Sequence, residues 1–330
     1  MKFLFFLIIF QLIFHFSLNG VVIEGVEKPY GLYAGKEKLY IFDGSTFSYK
    51  IYSLKSLKQT GKFGRKGEGP GEFRGSHEVS ITDNDIVLSG AFTLFKFSKD
   101  GVLIDQIKTP PYVYLQPVGD LYAGHKIEYD QKELKSFNEV YIYDNRIKTT
   151  KNIYKQFKSK MKRENKNIKQ DIQMIDPLFK VDTYKNSIYI ADCRKGFCIE
   201  VFDKNGDGKY SIKKNISRVK VTQGFKDKMM ARYKRSKLWI ENKRNFNYIF
   251  PKFFYDIKTF KVADDKIYVV TFQKKNKLSK LLILDLKGNF IKKMFIPFSS
   301  RLYDFKNDKY YYMEDTGEDW ELHILNLIFE

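Results

Sequence analysis

The stretch Asp265-Lys-Ile-Tyr-Val-Val-Thr271 has five variants elsewhere in the chain, and this repetition decides the fold. Its alternating apolar and aromatic residues are typical of a β-strand, and most copies follow a turn residue. The other copies occupy residues 38–43, 84–89, 119–124, 186–192 and 308–314. An apolar segment precedes each copy, a second alternating run follows each copy, and a third run follows in five. Four strands per unit, repeated six times, predict an all-β fold, the six-bladed β-propeller.

An open sheet or a β-sandwich is the alternative, but the repeated unit fits neither well. The sixth unit lacks an outer strand, whereas residues 21–27 form a strand-like run with no unit of their own. We expect residues 21–27 to pair beside residues 322–329, so that the N-terminal strand closes the last blade. Two long intervals between copies require insertions, near residues 150–176 and 218–250, in a propeller domain of residues 21–330.

Residues 1–20 read as a secretory signal peptide. Met1 and Lys2 precede an apolar run from Phe3 to Phe16, which is shorter than a membrane-spanning helix requires. The sequence therefore predicts an exported protein, periplasmic or extracellular. It leaves open whether the segment is cleaved or stays as a membrane tether.

The charge is strongly basic but biased towards lysine. Lys and Arg total 59 against 39 Asp and Glu, a formal net charge of +20, yet only 10 of the 59 are Arg. A protein that reads phosphates or bases specifically would rely more on the bidentate arginine fork. Specific nucleic-acid recognition is not expected, whereas attraction to acidic polymers remains open.

The two insertions concentrate this charge, and we expect both to be helical or loosely ordered arms. Met229, Met230, Tyr233 and Trp239 would give the second arm an apolar face. One interpretation is a rim that binds an acidic polymer, and the other is a solvated, lysine-biased surface. The candidate polyanion contacts are Lys160, Lys162, Arg163, Arg232, Lys234 and Arg235.

A glycine-rich segment follows the first predicted blade. Residues 67–73 read Gly-Glu-Gly-Pro-Gly-Glu-Phe, and residues 250–254 read Phe-Pro-Lys-Phe-Phe before the fifth marker strand. The G-x-G-P-G-E-F pattern resembles secreted bacterial six-bladed propellers related to NHL repeats. That resemblance implies the fold and export but no particular activity. The glycines themselves match no phosphate-binding motif and are interpreted as a structural loop.

No catalytic residue, metal ligand or cofactor is predicted. His77, His125 and His323 prompt comparison with NHL-type lyases that hold zinc in the central channel, but these three occupy non-equivalent places in their units. Residues 203–208 resemble the start of a calcium loop, whereas the closing position holds Lys214; we interpret the segment as a hairpin turn. The sequence contains no nucleophile elbow and no H-E-x-x-H motif.

Cys193 and Cys198 flank a short hairpin tip between two predicted strands. Opposite residues in such a hairpin lie close enough for a disulfide, which export would favour. A disulfide is expected, and free thiols are the alternative.

Together these features predict an exported binding or scaffold module, monomeric, for a protein, peptide or glycan partner. Two alternatives remain open: a metal-dependent propeller hydrolase or lyase, and an acidic-polymer binder that uses the basic insertions.

Overall fold

The structure is a computed structural model that describes residues 20–75, 77–164, 167–235, 246–298 and 302–327. The predicted signal peptide lies almost entirely outside the described residues. In the described part of the chain, no helix has both the length and the apolar character that a membrane crossing demands.

The strands form six mainly antiparallel sheets, one per blade. The first strand in the chain, β1 (Val21–Val22), is short and belongs to the sheet of the last blade. Blade one contains β2 (Pro29–Ala34), β3 (Lys38–Asp43), β4 (Ser48–Ser53) and β5 (Gln59–Phe63). Blade two contains β6 (Glu78–Ile81), β7 (Asp85–Ser89), β8 (Thr93–Ser98) and β9 (Leu103–Lys108). Blade three contains β10 (Tyr114–Val118), β11 (Leu121–Asp130), β12 (Lys135–Tyr143) and β13 (Thr149–Glu164), and is extended by β14 (Asn167–Gln173).

Blade four contains β15 (Phe179–Tyr184), β16 (Ser187–Asp192), β17 (Phe197–Asp203) and β18 (Gly208–Lys214). Helix α1 (Gln223–Lys234) and β19 (Phe246–Ile249) follow it. Blade five contains β20 (Thr259–Ala263), β21 (Lys266–Lys275), β22 (Leu278–Asp285) and β23 (Phe290–Ile296). Blade six contains β24 (Tyr303–Lys306), β25 (Lys309–Asp315) and β26 (Trp320–Asn326). The fold is a six-bladed β-propeller, as the repeats predict.

All six marker segments form the second strand of a blade. The middle residues of these marker segments are buried on both faces, and β16 exposes only its first residue in part. Outer strands face solvent instead; in β18 only Ile212 is buried. A strand packed on both faces must be apolar at successive positions, which explains why the markers stand out in the sequence.

The described residues divide into two compact units. The first comprises residues 20–65 and 302–327, with blades one and six, and the second comprises residues 66–298, with blades two to five. In the first unit, β1 pairs antiparallel with β26, with Val21 opposite Leu322 and Val22 opposite Glu321. The predicted closure of the last blade by the N-terminal strand is therefore confirmed.

In each unit, one pair of neighbouring blades is joined by an aspartate of the inner strand. Asp182 Oδ2 in β15 accepts a hydrogen bond from Val262 N in β20, at 2.7 Å. Asp304 Oδ2 in β24 accepts one from Ala34 N in β2, at 2.9 Å. Both aspartates lie directly opposite a marker tyrosine in their own blade. The repeat thus carries a recurrent side-chain bond that satisfies a buried backbone N–H of the next blade.

The prediction for the first basic insertion is wrong. Residues 154–164 do not form a separate helical or loose arm; they continue the outer strand β13, which then turns into β14. Strand β14 pairs in parallel with β19, giving a six-stranded sheet in blade three. The first part of β13 holds Thr149, Thr150, Ile153, Tyr154 and Phe157, which favour strands, and pairing with β12 continues the strand as far as Lys160. The second insertion does contain a helix, α1, as predicted.

Candidate functional site

A polar pocket lies in the second unit, where the inner strands of blades two, three and four converge. It offers about 100 Å³ of space to water-sized molecules. Its wall consists of Glu78, Tyr114, Gln116, Ala123, His125, Phe179, Lys180 and Val181. A concave site with a few converging polar groups is the usual form of a ligand-binding site.

Gln116 holds the pocket wall together through both protons of its side-chain amide. Its Nε2 donates to Glu78 Oε1 at 2.8 Å and to the Val181 carbonyl at 3.1 Å, which links blades two, three and four. Burial raises the pKa of Glu78, and the nearby Lys180 charge partly offsets this. The other carboxyl oxygen, Oε2, has no hydrogen-bond partner among the described residues, so it remains available to a ligand.

His125 enters the pocket from β11 at the end of a buried hydrogen-bond relay. Its Nε2 lies 3.4 Å from Asn138 Oδ1, and Asn138 Nδ2 donates to Gln156 Oε1 at 2.8 Å. Gln156 Nε2 donates in turn to Asp192. Because Asn138 Oδ1 can only accept, the network assigns the proton to Nε2 of His125. Burial lowers the pKa of His125, so the neutral ring keeps Nδ1 as an acceptor.

Lys180 supplies the positive charge of the site. Its Nζ donates to the Phe260 carbonyl of blade five at 2.7 Å, which fixes the ammonium group beside the pocket. An ammonium group has three donors, so two remain for a ligand. Glu78, His125 and Lys180 therefore present an acceptor, a neutral base and a donor to one small space.

The three histidines singled out in the sequence have separate environments. His125 lines the pocket, whereas His77 packs against Phe73, with ring centroids 4.6 Å apart, and His323 stacks on Tyr312 at 4.7 Å. Burial lowers the pKa of His77 to about 4. Among the described residues, no group of three His, Cys, Asp or Glu side chains is placed to hold a metal ion.

Residues 203–208 form a turn between β17 and β18. Asp203 Oδ1 accepts hydrogen bonds from Asn205 N and Asp207 N, each at 2.9 Å. The Asp207 carboxylate pairs with Lys151 at 2.6 Å. The Asp203 carboxylate therefore bonds within the turn itself, in agreement with the hairpin interpretation.

The expected disulfide between Cys193 and Cys198 is absent, since both cysteines are buried free thiols. The pairing of β16 with β17 places Ala191 opposite Ile199, which puts position 198 opposite position 192 rather than 193. Cys193 itself lies past the end of β16, in a short 3-10 helix of residues Cys193–Lys195, so it does not face Cys198 across the strand pair. Cys193 Sγ lies 3.6 Å from the Ile257 carbonyl, and Cys198 Sγ lies 3.5 Å from Glu200 Oε1.

The candidate polyanion contacts lie apart from the pocket, on the two insertions. Lys160, Lys162 and Arg163 belong to β13, and Lys160 is exposed. Arg232 and Lys234 are exposed in the last turn of α1, and Arg235 is its exposed C-cap. The structure thus places three of these residues on β13 and three at the C-terminal end of α1.

Sequence reasoning missed Glu78, Gln116 and Lys180. Each lies in the apolar segment that precedes a marker strand, and that segment was read only as a core strand. The available signal was a charged or amide residue inside a short apolar run in three consecutive blades. In a propeller, inner strands have a face that no neighbouring strand covers, so polar residues there indicate a site rather than a core.

No protein-family profile and no curated protein matches the chain. Among solved structures, a Bacteroides fragilis protein named as a candidate exported protein is 12% identical, with 93% of this chain and 92% of that chain covered and a TM-score of 0.50. The β-propeller domain of the trilobed protease from Pyrococcus furiosus is 12% identical, with coverage of 92% and 85% and a TM-score of 0.44. An acylaminoacyl peptidase from Pyrococcus horikoshii is 12% identical, with coverage of 92% and 46% and a TM-score of 0.46.

At these identities the likeness concerns the fold alone. The strand topology and the pocket together define the chain as a six-bladed β-propeller protein with a polar site at the inner strands of blades two to four.

Proposed function

We propose that this chain is an exported binding module, and that its protein, peptide or glycan partner inserts a polar group into the pocket. The observation that carries the proposal is the set of uncommitted groups there: Glu78 Oε2, His125 Nδ1 and the remaining Lys180 protons. Donors and acceptors that the protein does not pair internally are suited to a ligand that both donates and accepts. The signal-like residues 1–20 and the resemblance to secreted propellers support export.

The rigidity of the pocket supports the same proposal. Gln116 is tied to two blades and His125 to a three-residue relay, so these groups lose little freedom when a ligand binds. Pre-organised groups give more affinity for a given contact than mobile ones.

The test starts with the purified full chain on peptide and glycan arrays, followed by calorimetry on each ligand that binds. Glu78→Gln keeps an acceptor for Gln116 but removes the carboxylate, and it should weaken binding by about tenfold, as expected for a charge-assisted hydrogen bond. Glu318→Gln makes the same chemical change at an exposed position of blade six and should leave affinity unchanged. Equal affinity of wild type and Glu78→Gln would contradict the proposal.

A hydrolase or lyase that uses the same pocket is a second candidate. A raised carboxyl pKa beside a neutral imidazole is an arrangement that active sites use for acid–base chemistry. Product analysis of each array ligand after incubation separates the candidates. Intact ligand supports a binding module, and cleaved ligand supports an enzyme.

A further inference from the structure

The two basic insertions, far apart in the sequence, form one continuous layer in the second unit. Strand β14 pairs in parallel with β19, from Gln170 opposite Phe246 to Gln173 opposite Ile249. Helix α1 is joined to β19 by the rings of Tyr233 and Tyr248, 5.2 Å apart. We call residues 158–164 of β13, together with β14, β19 and α1, the basic layer.

Helix α1 presents its positive charges to solvent. Phe225, Met229 and Tyr233 are half-buried on one face, and the Phe225 ring contacts Phe254 at 4.9 Å. Lys228, Arg232 and Arg235 follow one another at helical spacing along the side of the helix next to this face, and all are exposed. None of these three has an acidic partner within the described residues.

Strand β13 adds charges in an arrangement that works against the stability of the sheet. Lys160 lies directly opposite Lys135 of β12, and the register also puts Lys162 opposite Lys169 of β14. Like charges at directly opposite positions destabilise an antiparallel pair. Glu133 pairs with Lys135 at 3.2 Å and offsets part of this repulsion, and an anionic ligand beside Lys160 would offset more of it.

The chemistry of the layer distinguishes between classes of polyanion. A lipid surface needs apolar side chains on the outward face of the helix, but those of α1 face inwards. Single-stranded nucleic acid needs exposed aromatic platforms, but Tyr233 and Tyr248 contact each other. Proteins that bind duplex DNA favour arginine, whose guanidinium group forms paired hydrogen bonds with phosphates and bases. In the basic layer, lysine supplies much of the charge. We propose that the basic layer binds a linear acidic polysaccharide, whose repeated anionic groups reach from β13 to α1.

This proposal does not depend on the pocket and has its own test. The full chain is titrated with polygalacturonate, heparin, a short DNA duplex and vesicles that contain anionic lipid, across a salt series. The test variant combines Lys160→Gln, Arg232→Gln and Arg235→Gln. The control combines Lys55→Gln, Lys58→Gln and Lys62→Gln, three exposed lysines of blade one. Both triple variants change the net charge equally, and thermal unfolding checks that each is folded.

We expect one of the polysaccharides to bind more tightly than DNA or vesicles at physiological salt. The test variant should lose about tenfold in affinity and the control less than about twofold, because three local contacts are lost only in the first. Equal losses of affinity in the two variants would overturn the proposal, since binding would then depend only on the net charge of the protein. Preference for DNA or for vesicles would also overturn it.

Discussion

The amide of Gln116 and the carboxyl of Glu78 form a 2.8 Å hydrogen bond between the inner strands of blades three and two. The same amide reaches the Val181 carbonyl of blade four. One buried side chain therefore fixes the relative positions of three pocket walls. Removing it should affect the pocket and the stability of the second unit together.

Gln116→Leu tests this bridge. Loss of both hydrogen bonds should lower the free energy of unfolding by about 1–3 kcal/mol, because buried partners are left unsatisfied. The pKa of Glu78, already raised by burial, should rise further, since the hydrogen bond from Gln116 favours the charged carboxylate. Denaturant unfolding and carboxyl-carbon NMR measure the two effects. An unchanged pKa of Glu78 would contradict the assigned bond.

Asp182→Ala tests the bond between blades four and five. The Val262 N–H is buried and would lose its acceptor, so the free energy of unfolding should fall by about 1–3 kcal/mol. Asp120→Ala is the matched control, because it breaks an exposed ion pair with Lys204 and should lower the free energy of unfolding much less than Asp182→Ala. If both variants lost equal stability, the inter-blade bond would have no special role.

His77 should make stability depend on pH. Burial lowers its pKa from 6.5 to about 4, so the unfolded chain binds more protons between these values. The contribution of His77 to the free energy of unfolding is therefore fully present above pH 6.5 and is lost as the pH falls towards 4. This loss is at most about 3 kcal/mol, and solvent screening makes it smaller. His77→Phe retains the ring contacts with Phe73 and Phe95 and removes the titrating group.

Thermal unfolding at pH 7.5 and pH 5 measures the effect. The difference between the two melting temperatures should be smaller for His77→Phe than for wild type. At pH 7.5 the variant should be at least as stable, because Nδ1 of His77 is buried without a hydrogen-bond partner among the described residues. A pH difference that the substitution leaves intact would show that other groups cause it.

The cysteines should behave as buried thiols. Burial raises the pKa of Cys193 to about 12 and that of Cys198 to about 11, so little reactive thiolate forms near neutral pH. Alkylation of the native protein should be slow, whereas alkylation in denaturant without a reductant should modify both residues. Mass spectrometry gives the number of modified thiols. If both cysteines were alkylated in denaturant only after a reductant was added, they would form a disulfide, as the sequence predicts.

The fold was predictable because β3, β7 and the other second strands are apolar at successive positions, and because residues 21–27 had no blade of their own. The details that failed depend on register and on tertiary pairing. Cys193 lies one position beyond the residue that faces Cys198 in the strand pair. No pattern within either segment indicates that β14 pairs with β19. The sequence does show Glu78, Gln116 and Lys180 as polar residues inside three apolar runs, but that these side chains meet at one pocket depends on strand register and on the packing of three blades.

Binding at the pocket is tested most directly by the imidazole NMR signal of His125, assigned with a His125→Gln variant. During titration with a ligand from the arrays, this signal should move and saturate at the affinity that calorimetry gives. The His77 signal should stay in place, because its ring lies in the aromatic cluster of blade two. Saturable binding that leaves the His125 signal unmoved would contradict the assignment of the pocket as the binding site.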